Sequence, residues 1–188
     1  MFKIKFKNTY YGVSFSFFLV LALTLICTPA QTDRILTALM CCAFHEIGHL
    51  LLMSAFGQKP REIVIYGGGI RITPDSSRLL SSGKDIAILL AGCAVNFLLA
   101  AISYCAAGMS FFCEVNIMLG ALNMLPFKYF DGGRVLEAIM KNERAHDLLR
   151  AAFIFLAAVV IIQMNLNGMV SVSFIATFCF VAISEILY

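Results

Sequence analysis

The stretch from Ile35 to Phe56, ILTALMCCAFHEIGHLLLMSAF, is apolar and long enough to cross a lipid bilayer as a helix. Its only acidic or basic side chains are His45, Glu46 and His49. On a helix the two histidines are four residues apart and project from one face, where they can share a metal ion. Glu46 lies beside them, where a carboxylate can accept a proton from a metal-bound water. Because ionisable groups are costly at membrane depth, this pentad predicts a metal site and not a solvated helix face.

The composition of the whole chain is that of a helical membrane protein. Of its 188 residues 61% are hydrophobic and 13% are charged, and the mean hydropathy is +0.89. These values exclude a soluble domain, and only segments that satisfy their own backbone hydrogen bonds can cross lipid. The seven cysteines form no C-x-x-C pair and lie in apolar segments, so we expect them to be small apolar fillers of transmembrane helices.

Six apolar runs alternate with segments that hold almost all of the positive charge. The runs are Tyr11–Pro29, Ile35–Phe56, Asp85–Gly108, Phe111–Leu125, Leu148–Met164 and Met169–Leu187. All of the 14 lysines and arginines except Arg34 precede the first run or lie within Lys59–Lys84 and Lys128–Arg150. The positive-inside rule therefore predicts six spans with both termini in the cytoplasm. A cleaved signal peptide is the alternative for the first run, but its apolar stretch is long for that role.

A β pattern lies between the second and third runs. Ile63–Tyr66 and Ile70–Thr73 are rich in β-branched residues and flank three glycines, which is typical of a short hairpin. The hairpin is too short to span the bilayer, so we expect it at the cytoplasmic interface. Two interpretations stay open: an ordinary amphipathic loop, or an exposed strand edge that pairs with an extended peptide.

The predicted fold class is thus an all-α integral membrane protein with six transmembrane helices and a short interfacial β-hairpin between helices 2 and 3. We expect a single membrane-embedded domain over residues 1–188, with a catalytic core at about 34–134. The additional helices cover 11–29, 148–164 and 169–187.

A catalytic zinc site usually has three protein ligands, so a third must join the two histidines. Asp131 follows the fourth run at a glycine-rich bend, beyond the helix-breaking Pro126. The second and fourth spans both run toward the cytoplasm in the predicted topology, so their ends meet on one side. His146 is the other candidate, but it lies in a polar segment typical of a solvated loop. The sequence therefore favours Asp131.

The chain contains three further-reaching motifs: His45-Glu46-Ile47-Gly48-His49, Gly92-Cys93-Ala94-Val95-Asn96 and Asn123-x-x-Pro126-x-x-x-x-Asp131-Gly132-Gly133. Together they resemble the site-2 protease family of intramembrane zinc metalloproteases. The small six-span layout is similar to the bacterial sporulation-factor protease branch, and the resemblance covers about residues 38–134. Cys93, Lys128 and Tyr129 stand where the family often has proline. The glycine hairpin between the second and third runs is also similar to that family.

The resemblance implies a set of site residues. His45, His49 and Asp131 would hold one zinc ion per chain, and Glu46 would act as general base and acid. The residues implied to line the catalytic cleft are Asn96, Asn123 and Pro126.

The implied activity is hydrolysis of peptide bonds in membrane-associated or single-span substrates. The implied location is a bacterial plasma membrane, with the active site toward the cytoplasm. The expected partners are a membrane-protein substrate and the lipid bilayer, without nucleic acid; a regulatory membrane partner and a homo-oligomer stay open. One alternative is a non-proteolytic metal-binding membrane protein, either a transporter or an inactive relative. A membrane zinc protease of unrelated fold, with a downstream glutamate as third ligand, is another.

Overall fold

Helices make up most of the chain, as the apolar runs predict, and a small sheet accompanies them. The structure is a computed structural model that describes residues 2–67, 69–75, 82–140 and 143–166. Its elements are β1 (Phe2–Phe6), β2 (Thr9–Val13), α1 (Phe15–Cys27), a short 3-10 turn (Pro29–Gln31), α2 (Thr32–Ala55), β3 (Pro60–Tyr66), β4 (Gly69–Pro74), α3 (Ser82–Ala107), α4 (Phe111–Asn123), α5 (Asp131–Ile139) and α6 (Glu143–Leu166). They fall into two compact units, Met1–Asn123 and Met124–Tyr188.

Two helices in the described part of the chain are long and apolar enough to cross a membrane. They cover Pro29–Ala55, which includes the short turn before α2, and Gly83–Ala107. Only 22% and 28% of their most apolar windows are buried, whereas the core helix of a soluble protein is mostly covered. Large apolar side chains such as Leu51 and Leu98 are 64% and 59% exposed. Apolar helices with uncovered flanks are the features of a membrane protein.

The predicted count of six spans is not confirmed. The apolar helices Phe15–Cys27 and Phe111–Asn123 are shorter, with 13 residues each. The fifth predicted span lies within α6. The sixth, residues 169–187, lies outside the described residues.

The hairpin predicted between the second and third spans is present, but it is half of a larger sheet. β3 and β4 pair antiparallel, with Ile63 opposite Ile72. The strand order is β1-β2-β3-β4, and β2 runs parallel to β3. The all-α assignment is therefore wrong in this detail. Tyr11–Val13, predicted to open the first span, is a strand because the alternating pattern of Phe2–Phe6 favours a β-hairpin before the helix.

The sheet is attached to the start of α1 by hydrogen bonds from both sides. The Ser14 amide donates to the Ile65 carbonyl at 2.8 Å, and the Gly67 amide donates to the Ser16 hydroxyl at 3.1 Å. Within the sheet, the Thr9 hydroxyl of β2 donates to the Pro60 carbonyl of β3 at 2.8 Å. These contacts satisfy backbone groups that the ends of the strands would otherwise leave unpaired.

Helix α3 packs against both α2 and α4, and glycines set how closely the helices approach. A Cβ atom at Gly48 of α2 would lie 2.7 Å from the Ala91 carbonyl oxygen of α3. A Cβ at Gly120 of α4 would lie 2.9 Å from the Phe97 ring. Small residues at such contacts let membrane helices come together. The three helices therefore enclose a narrow interior.

The second unit begins with a loop that folds back on α5. Pro126 and Phe127 are buried, and the Phe130 amide donates to the Phe127 carbonyl at 2.9 Å. A Cβ at Gly132 or Gly133 would collide with the carbonyl groups of this loop. The two glycines are therefore required for the loop to lie against the first turn of α5, as the sequence predicts for a tight backbone.

Candidate metal centre

His45 and His49 lie side by side on the inner face of α2, as their spacing predicts. Their Nε2 atoms are 3.1 Å apart, and the ring planes are nearly perpendicular at 82°. Both side chains are buried, with exposed fractions of 5% and 8%. Two nitrogens bound to one tetrahedral zinc ion at a bond length of about 2.0–2.1 Å are separated by about 3.3 Å. The spacing of the pair therefore fits two ligands of one zinc ion.

The contact that His49 makes through Nδ1 identifies the ring nitrogen that carries a proton. His49 Nδ1 lies 2.7 Å from the Ile88 carbonyl oxygen of α3. A carbonyl oxygen only accepts hydrogen bonds, so Nδ1 carries a proton, and in the neutral ring Nε2 has the lone pair. Metal-bound histidines usually donate their second ring N–H in this way.

Asn96 has the corresponding position next to His45. Its Oδ1 atom lies 2.6 Å from His45 Nδ1, and its side chain is fully buried. The Asn96 amide nitrogen donates to Asn116 Oδ1 at 2.8 Å and to the Cys41 carbonyl at 3.4 Å. The resemblance implies that Asn96 lines the catalytic cleft, and in the structure its Oδ1 atom contacts a histidine that is itself a candidate ligand.

The two Nε2 atoms consequently face each other with their lone pairs. Both Nδ1 atoms donate, so when the two rings are neutral neither Nε2 atom carries a proton to donate to the other. Two lone pairs at this distance repel each other unless a proton or a cation lies between them. The donor set itself therefore suits a metal ion.

Gly92 of α3 makes room for both imidazole rings. A Cβ atom at this position would lie 2.7 Å from His45 Cε1 and Nε2, and it would collide with His49 Nε2. Distances below 3.0 Å are not found for real Cβ atoms. Glycine is therefore the only residue that leaves the two rings in place.

Glu46 and Asp131 are the two carboxylates of the predicted site. Glu46 is half-buried and follows His45 on α2. Asp131 is the first residue of α5 and is 9% exposed. His45 and His49 belong to the first unit and Asp131 to the second. Two imidazoles and one carboxylate are typical ligands of catalytic zinc.

Three further residues were considered in the sequence: Asn123, Pro126 and His146. The Asn123 amide nitrogen donates to the Leu119 carbonyl of its own helix at 3.0 Å, and Pro126 is buried in the loop before α5. The side chain of His146 lies outside the described residues.

Asn116 is a site residue that the sequence analysis missed. It is fully buried in α4 and contacts Asn96, as described above. A carboxamide between the apolar residues Val115 and Ile117 is the signal that could have identified it.

Comparison with known proteins supports the fold. No protein-family profile and no curated protein sequence matches the chain. Among solved structures, the chain is similar to the site-2 protease from Methanocaldococcus jannaschii, with a TM-score of 0.63 and 20% sequence identity. The match covers 98% of this chain and 95% of that protein. The resemblance inferred from the motifs is thus confirmed at the level of structure, and the chain has the fold of a site-2 protease.

Proposed function

We propose that the chain is an intramembrane zinc metalloprotease that hydrolyses peptide bonds of membrane-associated or single-span substrates. The observation that carries the proposal is the buried pair of imidazoles, whose Nε2 atoms lie 3.1 Å apart and whose Nδ1 atoms are both engaged. This pair lies in a helix with the exposed apolar flanks of a membrane span. The likeness in fold to a site-2 protease agrees with this assignment.

Three residues would hold the zinc ion. His45 and His49 would bind through Nε2, and Asp131 would supply the carboxylate. When bound in such a site, zinc lowers the pKa of a coordinated water to about 7 and polarises a substrate carbonyl. Asn96 and the Ile88 carbonyl would hold the two rings in the required orientation.

Glu46 would move the proton. A carboxylate next to the ligand pair can accept a proton from the attacking water, and the protonated acid can then donate it to the leaving amine. Glu46 is half-buried, so part of its side chain is shielded from water. The reaction adds one water across the peptide bond and returns Glu46 to its starting state.

The sheet offers a way to present a substrate. A helical segment hides its carbonyl groups in hydrogen bonds, so the substrate has to unwind before cleavage. β3 is paired on both sides, by β2 and β4, whereas β4 is an edge strand of the described sheet. Of the two segments that the sequence analysis considered, only Ile70–Thr73 is therefore left to accept an extended peptide.

The charge distribution supports a cytoplasmic active site. Lysines and arginines cluster before α1 and after α2, and by the positive-inside rule this charge supports a cytoplasmic location of both regions. A bacterial plasma membrane with both termini inside agrees with this arrangement. Cysteine labelling at Lys7 and at Ser77, which lies outside the described residues, should report the cytoplasmic side at both positions. Labelling of Ser77 from outside would contradict the topology.

The proposal is tested by comparing membranes from cells that produce the wild type or Glu46→Gln. New peptide termini within or next to transmembrane segments should appear with the wild type and be lost with Glu46→Gln, because a carboxamide cannot accept the water proton. Glu114→Gln is the matched control, since Glu114 is an exposed carboxylate of α4. Cleavage that persists in Glu46→Gln would remove Glu46 from its role. Zinc binding without cleavage by any variant would favour a non-proteolytic metal-binding protein.

A further inference from the structure

We propose that Asn116 is a positioning residue that fixes the tautomer of His45 by orienting the Asn96 carboxamide. This inference rests on the proposed function, because it takes His45 as a metal ligand. The residues involved belong to three helices of one unit: Cys41 and His45 on α2, Asn96 on α3, and Phe112 and Asn116 on α4.

The direction of the hydrogen bonds is determined by backbone carbonyls. Asn116 Nδ2 donates to the Phe112 carbonyl at 2.9 Å, so Oδ1 of Asn116 has to point the other way. That oxygen accepts from Asn96 Nδ2 at 2.8 Å, which turns Asn96 Oδ1 toward His45. Asn96 Oδ1 then accepts from His45 Nδ1 at 2.6 Å. Each step leaves the next residue one orientation only.

Two further contacts secure the same direction. Asn96 Nδ2 also donates to the Cys41 carbonyl at 3.4 Å, and Asn116 Nδ2 donates to the Cys41 sulfur at 3.1 Å. If both carboxamides were reversed, Asn116 Oδ1 would face the Phe112 carbonyl oxygen, and Asn96 Oδ1 would face that of Cys41. Each of these two contacts would then bring two oxygen acceptors together without a hydrogen between them.

The reversed orientation would also change His45 chemically. An Asn96 amide group facing His45 would donate to Nδ1 and move the ring proton to Nε2. An Nε2 atom that carries a proton has no lone pair for a metal. Both asparagines are fully buried, so water cannot substitute for the missing bonds.

The comparison with His49 explains why His45 needs this arrangement. His49 donates directly to a backbone carbonyl, which cannot be reversed. His45 donates to a carboxamide, which can present either an oxygen or an NH₂ group. Asn116 therefore supplies to His45 the directionality that the Ile88 carbonyl gives to His49.

The test measures zinc affinity and the histidine tautomers in Asn116→Leu, Asn116→Asp and Cys113→Ala. Zinc affinity is obtained by competition with a chelator, and the tautomers by nitrogen NMR of histidine-labelled, metal-free protein. The chain has only three histidines, so few signals have to be assigned. Cys113 is the matched control because its sulfur donates to the Ala100 carbonyl at 3.4 Å and also links α4 to α3.

We expect Asn116→Leu to lower zinc affinity about 10-fold to 100-fold, the usual cost of losing a group that orients a metal ligand. The Nε2–H form should appear for His45 and not for His49. Asn116→Asp retains an acceptor for Asn96 Nδ2 and should keep the wild-type tautomer of His45, although its second oxygen faces the Phe112 carbonyl and should lower the stability of the protein. Cys113→Ala should change neither the affinity nor the tautomers.

A double substitution distinguishes positioning from general damage. In Asn96→Asp/Asn116→Leu, a carboxylate accepts from His45 Nδ1 in either orientation, so the Nδ1–H tautomer should return. If Asn116→Leu does not fold, Asn116→Ala replaces it in the same comparison.

The inference is overturned if Asn116→Leu keeps the wild-type tautomer of His45, or if Cys113→Ala has the same effect. Absence of zinc binding by the wild type would instead contradict the proposed function. The tautomers of the metal-free protein would still decide the role of Asn116 in that case.

Discussion

The interior between α2, α3 and α4 differs from the outer strand β1 in which side chains are buried. The interior buries polar side chains, whereas β1 exposes apolar ones. In the helical interior Asn96 and Asn116 are completely buried and fully hydrogen-bonded among apolar neighbours. In β1, Phe2 and Ile4 are 83% and 72% exposed. The interior keeps polar groups in fixed orientations because unpaired ones are costly there. We therefore expect single substitutions to have large effects on zinc binding in the interior and small effects on it in the sheet.

The largest effect is expected for one added methyl group in the interior. Gly92→Ala places a Cβ atom among the two imidazole rings, so zinc binding in stoichiometric amounts should be lost. Gly83→Ala is the matched control on the same helix, because nothing lies within 4 Å of a Cβ there. Metal analysis of the two purified variants tests the comparison. Normal zinc content in Gly92→Ala would show that the two imidazole rings can move aside and still bind the metal.

Removal of the proposed third ligand should have the next largest effect. Asp131→Ala should lower zinc affinity more than about 100-fold, beyond the usual cost of losing an orienting group. His146→Ala should be nearly silent, because the sequence places it in a polar segment. Chelator competition measures both. The reverse ranking would mean that His146 is the ligand.

A smaller effect is expected at the edge of the sheet. Ile72→Pro removes a backbone donor from β4 and should reduce substrate cleavage while zinc affinity stays unchanged. Ile72→Thr keeps the amide and the β-propensity and should be tolerated. Cleavage of the same membrane substrate by both variants is compared. Equal activity of Ile72→Pro and wild type would leave β4 without a role in substrate binding.

The smallest effect is expected for the ion pair between Lys3 and Glu62, which links β1 to the rest of the sheet. Lys3 is about half exposed, and exposed ion pairs contribute about 0–1 kcal/mol. Lys3→Ala should therefore change the free energy of unfolding by no more than this and leave zinc affinity unchanged. Thermal unfolding in detergent measures the first quantity. A loss of zinc affinity would mean that the sheet and the interior are coupled.

The same contrast explains what the sequence could predict. Local periodicity predicts α2 and the position of the histidine pair on one face, because spacing along a helix determines direction. The hairpin of β3 and β4 follows from β-branched residues around glycines. The parallel pairing of β2 with β3 joins segments that are far apart in the chain, and no local pattern encodes it.

Two features of the structure were not predicted from the sequence, and the reasons differ. In Phe2–Phe6 lysines alternate with apolar residues, so a strand could have been predicted, but the lysines also fit the charge pattern of a cytoplasmic segment. The bond from His49 to Ile88 involves a backbone carbonyl, which every residue has. No side-chain identity could therefore have indicated it.

X-ray absorption at the zinc edge, on purified protein, shows whether the buried histidine pair binds zinc. We expect one zinc ion per chain with scattering from two imidazoles, at zinc–nitrogen distances of about 2.0–2.1 Å. His49→Ala should lose one imidazole contribution or lose the metal altogether. Protein that holds no stoichiometric zinc after exposure to the ion, or zinc without imidazole scattering, would contradict the assignment of this buried pair as a metal centre.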